Sequence, residues 1–134
     1  MKGDGNGFSD VFVHDRQRAK TTRVSVSSAG REAKDQSSSP SISGSGRFVA
    51  FQSSAPNLVK GDTNDERDVF VHDRATGKTI RASVSTAGRE GKRFSDNPSI
   101  SNDGRFVAFQ TRAWNLVRGD ENDATDVLVR GPLT

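Results

Sequence analysis

The sequence contains no cysteine and few apolar residues, and both shortages limit what the protein can be. Without cysteine there is no disulfide framework, no thiolate metal ligand and no thiol nucleophile. The apolar share is 31%, below the roughly 45–50% of ordinary globular chains. No apolar run reaches the roughly 18 residues that a membrane span needs. We therefore expect neither a large hydrophobic core formed by this chain alone nor a membrane-spanning helix.

The abundant residues favour short strands and turns. Ser, Asp, Arg and Gly predominate over the Glu, Lys and Leu of long helices, which predicts an all-β protein. The net charge is +3, but the basic residues alternate with acidic ones instead of forming a block, which argues against nucleic acid as a partner. The first residues, MKGDGNG, lack the apolar stretch of a signal peptide, so the sequence itself specifies no cellular location.

An internal repeat of 58 residues organises the chain. Residues 10–67 and 68–125 are identical at 38 of 58 positions, and a third repeat begins at Asp126 with the sequence DVLV. A repeat of this length is one supersecondary unit, which buries its apolar faces only by stacking on neighbouring units.

Each repeat carries four strand signals separated by turn residues. They are PSIS, RFVAFQ, DVFVHDR and a Thr/Ser/Val run such as TIRASVS. The turns at residues 102–104 and 75–77 each contain a glycine, which predicts antiparallel hairpins. RFVAFQ is apolar on both faces, as expected for a strand enclosed between two sheets.

These motifs resemble the TolB-type β-propeller repeat. The resemblance rests on P-S-I-S-x-D-G-R-F-V-A-F followed by D-V-F-V-H-D-R-x-T-G, and it covers essentially the whole chain. The first repeat departs from the family pattern, because Gly44, Ser45 and Gly46 stand where the second has Asn102, Asp103 and Gly104. The resemblance implies blades of four antiparallel strands, a scaffolding role and an extracytoplasmic location.

The strand order divides the chain into about two and a quarter blades. Residues 1–38 form a partial blade with third and fourth strands, residues 39–96 a complete blade, and residues 97–134 a partial blade with first to third strands. Such a chain cannot close a ring alone, since propellers close with roughly four to eight blades. Either it is a piece of a longer propeller or several chains complete one another's blades as a homo-oligomer. We favour the second, and three chains of two blades would make a six-bladed ring, with dimers and tetramers as alternatives.

A repeated acidic motif, D-x-N-[GD]-x-x-D, is the candidate metal site. Its carboxylate and amide oxygens suit a hard cation such as calcium. The alternative is that the same side chains form Asx-turns that need no ion. The nine candidate ligands are Asp4, Asn6, Asp10, Asp62, Asn64, Asp68, Asp120, Asn122 and Asp126.

Two aromatic residues break the repeat symmetry. Trp114 replaces Pro56, and Phe94 replaces Gln36. An exposed aromatic side chain in a loop can stack on a sugar or anchor a protein, so both are candidate ligand-binding residues, with packing on the neighbouring blade as the alternative.

No catalytic residue can be nominated. His14 and His72 are interpreted as hydrogen-bonded strand-end residues, because two histidines so far apart are not a zinc signature. No G-x-S-x-G elbow is present. The sequence thus predicts a non-enzymatic module that binds or scaffolds protein or glycan, without a cofactor other than calcium. The alternative is a fragment of a larger propeller enzyme, such as a hydrolase, with catalytic residues elsewhere.

Overall fold

A computed structural model describes residues 7–59, 66–84, 93–113, 115–116 and 126–131. This part of the chain forms β-strands and contains no helix, which confirms the all-β prediction. Among the described residues, then, no helix has the length and apolar character needed to cross a membrane. The nine strands are β1 (Phe12–Asp15), β2 (Lys20–Arg23), β3 (Ser37–Ile42), β4 (Phe48–Ser53), β5 (Asp68–Asp73), β6 (Thr79–Arg81), β7 (Ser95–Ile100), β8 (Val107–Thr111) and β9 (Asp126–Arg130).

The strands form three antiparallel sheets. The first sheet pairs β1 with β2, the central sheet has the order β3-β4-β5-β6, and the third has the order β7-β8-β9. The central sheet is therefore the predicted four-stranded blade, in which each strand pairs with its neighbours in the sequence. The register is the same in different repeats, since Ser53 lies opposite Asp68 and Thr111 opposite Asp126.

The predicted hairpin turns are present. Gly77 follows β5 with a φ of 79°, and Gly104 follows β7 with a φ of 75°. Glycine adopts this left-handed conformation without the steric cost of a Cβ atom. The turn chemistry read from the sequence therefore fixes where these strands reverse.

The first strand of the blade differs from the sequence prediction. PSIS covers only the second half of β3 and β7, which begin three residues earlier, at Ser37 and Ser95. A β-bulge between Ser38 and Ser41 interrupts the pairing of β3 with β4. An equivalent bulge between Asp96 and Ser99 interrupts the pairing of β7 with β8. Ser39 and Asn97 have φ values of 52° and 51°. The alternation of inward and outward side chains is lost at the bulge. The first half of β3 and of β7 therefore gives no strand signal in the sequence.

The central sheet is buried on both faces. On one face Val49, Phe51 and Phe70 pack against Val11 and Val24, which adjoin the first sheet. The rings of Phe51 and Phe70 are stacked, with centroids 5.9 Å apart. The prediction that β4 is enclosed between sheets is thus confirmed.

The opposite face repeats this packing with the residues of the next repeat. Ala50, Val69 and Val71 pack there against Val107 and Phe109 of the third sheet. Phe51 and Phe109 occupy equivalent positions, as do Val11 and Val69. Both interfaces between sheets therefore use largely equivalent positions, one repeat apart, although Ala82 replaces Val24 and Leu128 replaces Phe70.

The buried aromatic pair sets the stability of the central blade. We expect Phe51→Ala to lower the free energy of unfolding by about 3–5 kcal/mol, because the lost ring leaves a cavity between two sheets. Denaturant titration measures the change. Phe8→Ala is the matched control, since Phe8 is exposed. An equal loss in both variants would contradict the enclosed-blade interpretation.

Candidate functional site

Only part of the predicted calcium motif lies in the described residues. Asp10 and Asp68 are described with their side chains, and Asp126 begins β9 opposite Thr111. The other six candidate ligands, Asp4, Asn6, Asp62, Asn64, Asp120 and Asn122, lie outside the described residues.

Asp10 and Asp68 each hold the beginning of a third strand against the fourth. The Ser83 hydroxyl donates to Asp68 Oδ1 at 3.1 Å and accepts the Val69 N–H at 3.0 Å. Arg81 Nε lies 3.6 Å from Asp68 Oδ2. The carboxylate is fully buried, so the cation and the hydroxyl compensate for its lost hydration.

The first repeat contains the same arrangement. Ser25 donates to Asp10 Oδ1 at 2.9 Å and accepts the Val11 N–H at 3.1 Å. Arg23 Nε lies 3.5 Å from Asp10 Oδ2 and its Nη1 donates to Glu32 at 2.7 Å. The repeated Asp, Arg and Ser side chains form a structural group that the sequence analysis did not recognise, although their constant spacing in the two repeats was visible.

The calcium hypothesis stays a prediction. Among the described residues, no group of three or more His, Cys, Asp or Glu side chains is placed to hold a metal ion. Asp10 and Asp68 bond to serine and arginine side chains, while the remaining oxygens of the motif belong to residues outside the described part.

The two histidines end third strands, and both are hydrogen-bonded as predicted. His14 Nδ1 lies 2.8 Å from Thr21 Oγ1 at the surface. His72 Nδ1 lies 2.7 Å from Thr79 Oγ1 in the interior, and that hydroxyl donates to the Val26 carbonyl at 2.6 Å. Because a carbonyl only accepts, the Thr79 proton points to Val26 and His72 Nδ1 is the donor to Thr79. This chain of bonds ties the central sheet to the segment that follows β2.

Burial lowers the pKa of His72 below its ordinary value. The nearby charge of Asp73 opposes this shift, and that of Arg74 adds to it. Burial disfavours the charged imidazolium, so the ring is held neutral in its bond to Thr79.

An ion pair that the sequence analysis missed joins the second and third strands of the central blade. Arg47 donates from Nε to Asp73 Oδ1 at 2.8 Å and from Nη2 to Oδ2 at 2.9 Å. The hydrogen bond from Arg47 holds the pKa of Asp73 far below its usual range, although burial opposes it. Arg74 also donates to the Gly46 carbonyl at 2.8 Å. A bidentate pair of this geometry fixes the orientation of both side chains.

Only one of the two aromatic ligand candidates lies in the described residues. Phe94 precedes β7 and is half-buried, with the Arg67 guanidinium 5.2 Å from its ring centroid. Trp114 lies outside the described residues. Ligand binding by either residue stays a prediction.

The sheets together define a class of protein. A four-stranded antiparallel sheet, packed face to face between sheets of the same repeat, is the architecture of a β-propeller blade. The described residues thus belong to a β-propeller repeat protein. The assignment rests on the strand order and the packing of this chain.

Solved structures that are similar to the chain share little sequence identity with it. No protein-family model and no curated protein matches the chain. Among solved structures, the chain is similar to the crystal structure of the tricorn protease, with a TM-score of 0.46 and 18% identity over 89% of this chain and 10% of that one. It is also similar to TolB from Acinetobacter baumannii, with a TM-score of 0.38 and 13% identity over 93% of this chain and 36% of that one. The chain spans only a small part of either, and the likeness concerns the fold alone.

His72 makes stability depend on pH. Its pKa is lower in the folded protein than the value near 6.5 in an unfolded chain, so the unfolded chain binds more protons below that pH. The contribution of His72 to the free energy of unfolding is therefore complete above about pH 6.5. It is lost as the pH falls toward the pKa that His72 has in the folded protein. We expect the free energy of unfolding to decrease from pH 7 to pH 5, and His72→Gln to reduce this slope. His14→Gln, at the exposed equivalent position, should keep it, and equal slopes in His72→Gln and the parent chain would refute the assignment.

Calcium binding would appear as a change in melting temperature. If the acidic loops hold the ion, calcium should raise the melting temperature and a chelator should reverse the effect, because a ligand that binds only the native state stabilises it. Asp62→Ala should reduce the response. Phe51→Ala, which removes only apolar packing between two sheets, should lower the melting temperature equally with and without calcium. A melting curve that calcium and chelator leave unchanged would leave the Asx-turn alternative.

Proposed function

We propose that the chain is a non-enzymatic β-propeller repeat module that scaffolds and binds protein or glycan surfaces. The observation that supports this proposal is the use of its titratable side chains. Asp10 and Asp68 hold strands together through serine and arginine, and His72 holds the central sheet to its neighbour. The aspartates thus fix strands within a blade and His72 fixes one blade to the next, whereas a catalytic site needs a carboxylate or imidazole directed at a substrate.

The second part of the proposal is that the module assembles with itself. In the described residues, the first sheet has two strands and the third has three, whereas the central blade has four. Unpaired strand edges bind other strands readily. Head-to-tail pairing closes a ring when the rotation per chain divides the circle, and three chains of two blades give the six-bladed ring that we favour. The resemblance to TolB-type repeats supports an extracytoplasmic location.

Molar mass and hydrolytic activity test the proposal together. Light scattering should give a small multiple of the 14.4 kDa chain mass, three for the favoured trimer, and ester and peptide substrates should stay intact. Measurable hydrolysis would favour the alternative, in which the chain is a piece of a larger propeller hydrolase. A folded monomer at micromolar concentration would contradict self-assembly.

A further inference from the structure

We propose that the β1–β2 hairpin of a second copy of this chain replaces β9 along the edge of β8, with Asp15 of that copy bound to Arg105. The inference rests on the self-assembly proposed above. It adds that β9 is the displaced strand and that Asp15 and Arg105 form the contact between copies. The starting observation is that β9 and β1 are versions of the same blade strand. Asp126–Val129 repeats Asp10–Val13, and β9 pairs with β8 in the register that β5 adopts on β4.

The β9 strand lacks the side chains that anchor β5. In the central blade, Asp73 binds Arg47 through two hydrogen bonds, and Arg74 reaches the Gly46 carbonyl. In the third sheet the position of Asp73 is occupied by Gly131. A Cβ atom at Gly131 would overlap the Phe106 ring and the Arg105 carbonyl, so an aspartate fits there only when the Phe106 ring and this strand end shift. Arg105, the equivalent of Arg47, is exposed. Its backbone N–H donates to Asp103 Oδ1 at 3.0 Å, and this bond and the charge of Arg105 lower the pKa of Asp103. With the described carboxylates Arg105 makes no bidentate pair like that of Arg47 with Asp73.

The β1 strand carries the residues that β9 lacks. Asp15 and Arg16 stand at the positions of Asp73 and Arg74. Asp15 also accepts the N–H groups of the following turn, from Gln17 at 2.9 Å and Arg18 at 3.1 Å, much as Asp73 accepts that of Ala75 at 3.0 Å. The Arg18 guanidinium, which is 79% exposed, now donates to Asp15 Oδ2 at 2.8 Å. A β1 strand placed on β8 would restore the bidentate pair once Arg105 displaces this exposed side chain.

The exchange also removes an exposed apolar face. Val127 and Val129 are 74% and 68% exposed, although their equivalents Val69 and Val71 are buried against the next sheet. In the first repeat the corresponding side chains are Val11, which precedes β1 and is buried, and Val13 of β1, which packs against the cluster that contains Val49 and Phe51. A hairpin from a second copy thus replaces the exposed valines of β9 with Val11 and Val13, which that copy's own central sheet already covers.

A cavity beside β1 matches the side chains that β8 would bring. The cavity measures about 250 Å³ and is lined by Phe12, Val13, His14, Pro40, Ile42 and Val49. At the equivalent place one repeat later, β4 contributes Ala50 and Phe48 to the cluster that contains Val107 and Ile100. Their equivalents on β8 are Ala108 and Phe106, and Phe106 is 39% exposed. The Ala108 and Phe106 side chains on β8 of a second copy would therefore fill the cavity.

The turns between β3 and β4 and between β7 and β8 favour this particular partner. Gly44 N–H donates to the Asn102 carbonyl at 2.9 Å. A Cβ atom on Gly44 would overlap the Asn102 side chain, and one on Gly104 would overlap the Phe48 ring. At the junction of two copies, Asn102 meets Gly44 and Phe106 meets Gly46, so a glycine again faces each large side chain. A neighbouring blade with asparagine at the Gly44 position would clash.

Charge reversal at the junction tests the inference in the full-length chain. We expect Arg105→Asp to weaken assembly by about tenfold or more, since it sets two carboxylates against each other. An equimolar mixture of Arg105→Asp and Asp15→Arg chains should assemble more tightly than Arg105→Asp alone. Arg130→Asp, an equal change of charge on β9, should not weaken assembly. Molar mass against concentration, from sedimentation equilibrium, gives the dissociation constants.

A second pair of variants shows whether β9 leaves. Leu128 packs against the cluster under the third sheet, so Leu128→Lys should loosen β9 and strengthen assembly, whereas Val127→Lys with Val129→Lys should leave assembly intact. Loss of assembly in the double valine variant, with no effect of Arg105→Asp, would overturn the exchange while self-assembly stands. A monomer for the parent chain and for all variants would overturn both proposals.

Discussion

The burial of both faces of β4 is the constraint on which the rest of the structure depends. Val49 and Phe51 lie in one apolar cluster and Ala50 in the other, so the strand can be solvated on neither side. A sheet with such a strand at its centre needs a neighbour on each face. This need explains how a chain with only 31% apolar residues forms a core at all, since each cluster is shared by two sheets.

Buried polar bonds complement this apolar packing by fixing the register of the strands. The Asp68, Ser83 and Arg81 group sets the beginning of β5 against the chain that follows β6. The bond from Thr79 to Val26 then ties one blade to its neighbour. Unpaired polar groups in such positions are costly, so these bonds favour one alignment of the sheets over its alternatives. The same side chains that could have carried chemistry thus hold the blades together.

The differences between the repeats have as much physical content as the identities. Gly44 and Asn102 occupy equivalent turns, and the small residue admits the large one. Asp73 and Gly131 likewise occupy equivalent strand ends, and only the first binds an arginine. Identical residues mark the packing that every blade shares, whereas these substitutions mark contacts that one sheet makes and another lacks.

The sequence by itself determined the repeat, the four strands of a blade, their order and the hairpin glycines, because these depend on local alternation and turn chemistry. It also gave the positions of the acidic motif that is the candidate calcium site, and it indicated that the two histidines are hydrogen-bonded at strand ends. Only the tertiary structure decided that Asp10 and Asp68 bond to serine and arginine, that Arg47 pairs with Asp73, and that β3 begins before its bulge. These contacts join residues 12 or more positions apart or interrupt the alternation of a strand. No local pattern encodes them, because they form only when separate strands are brought together by packing.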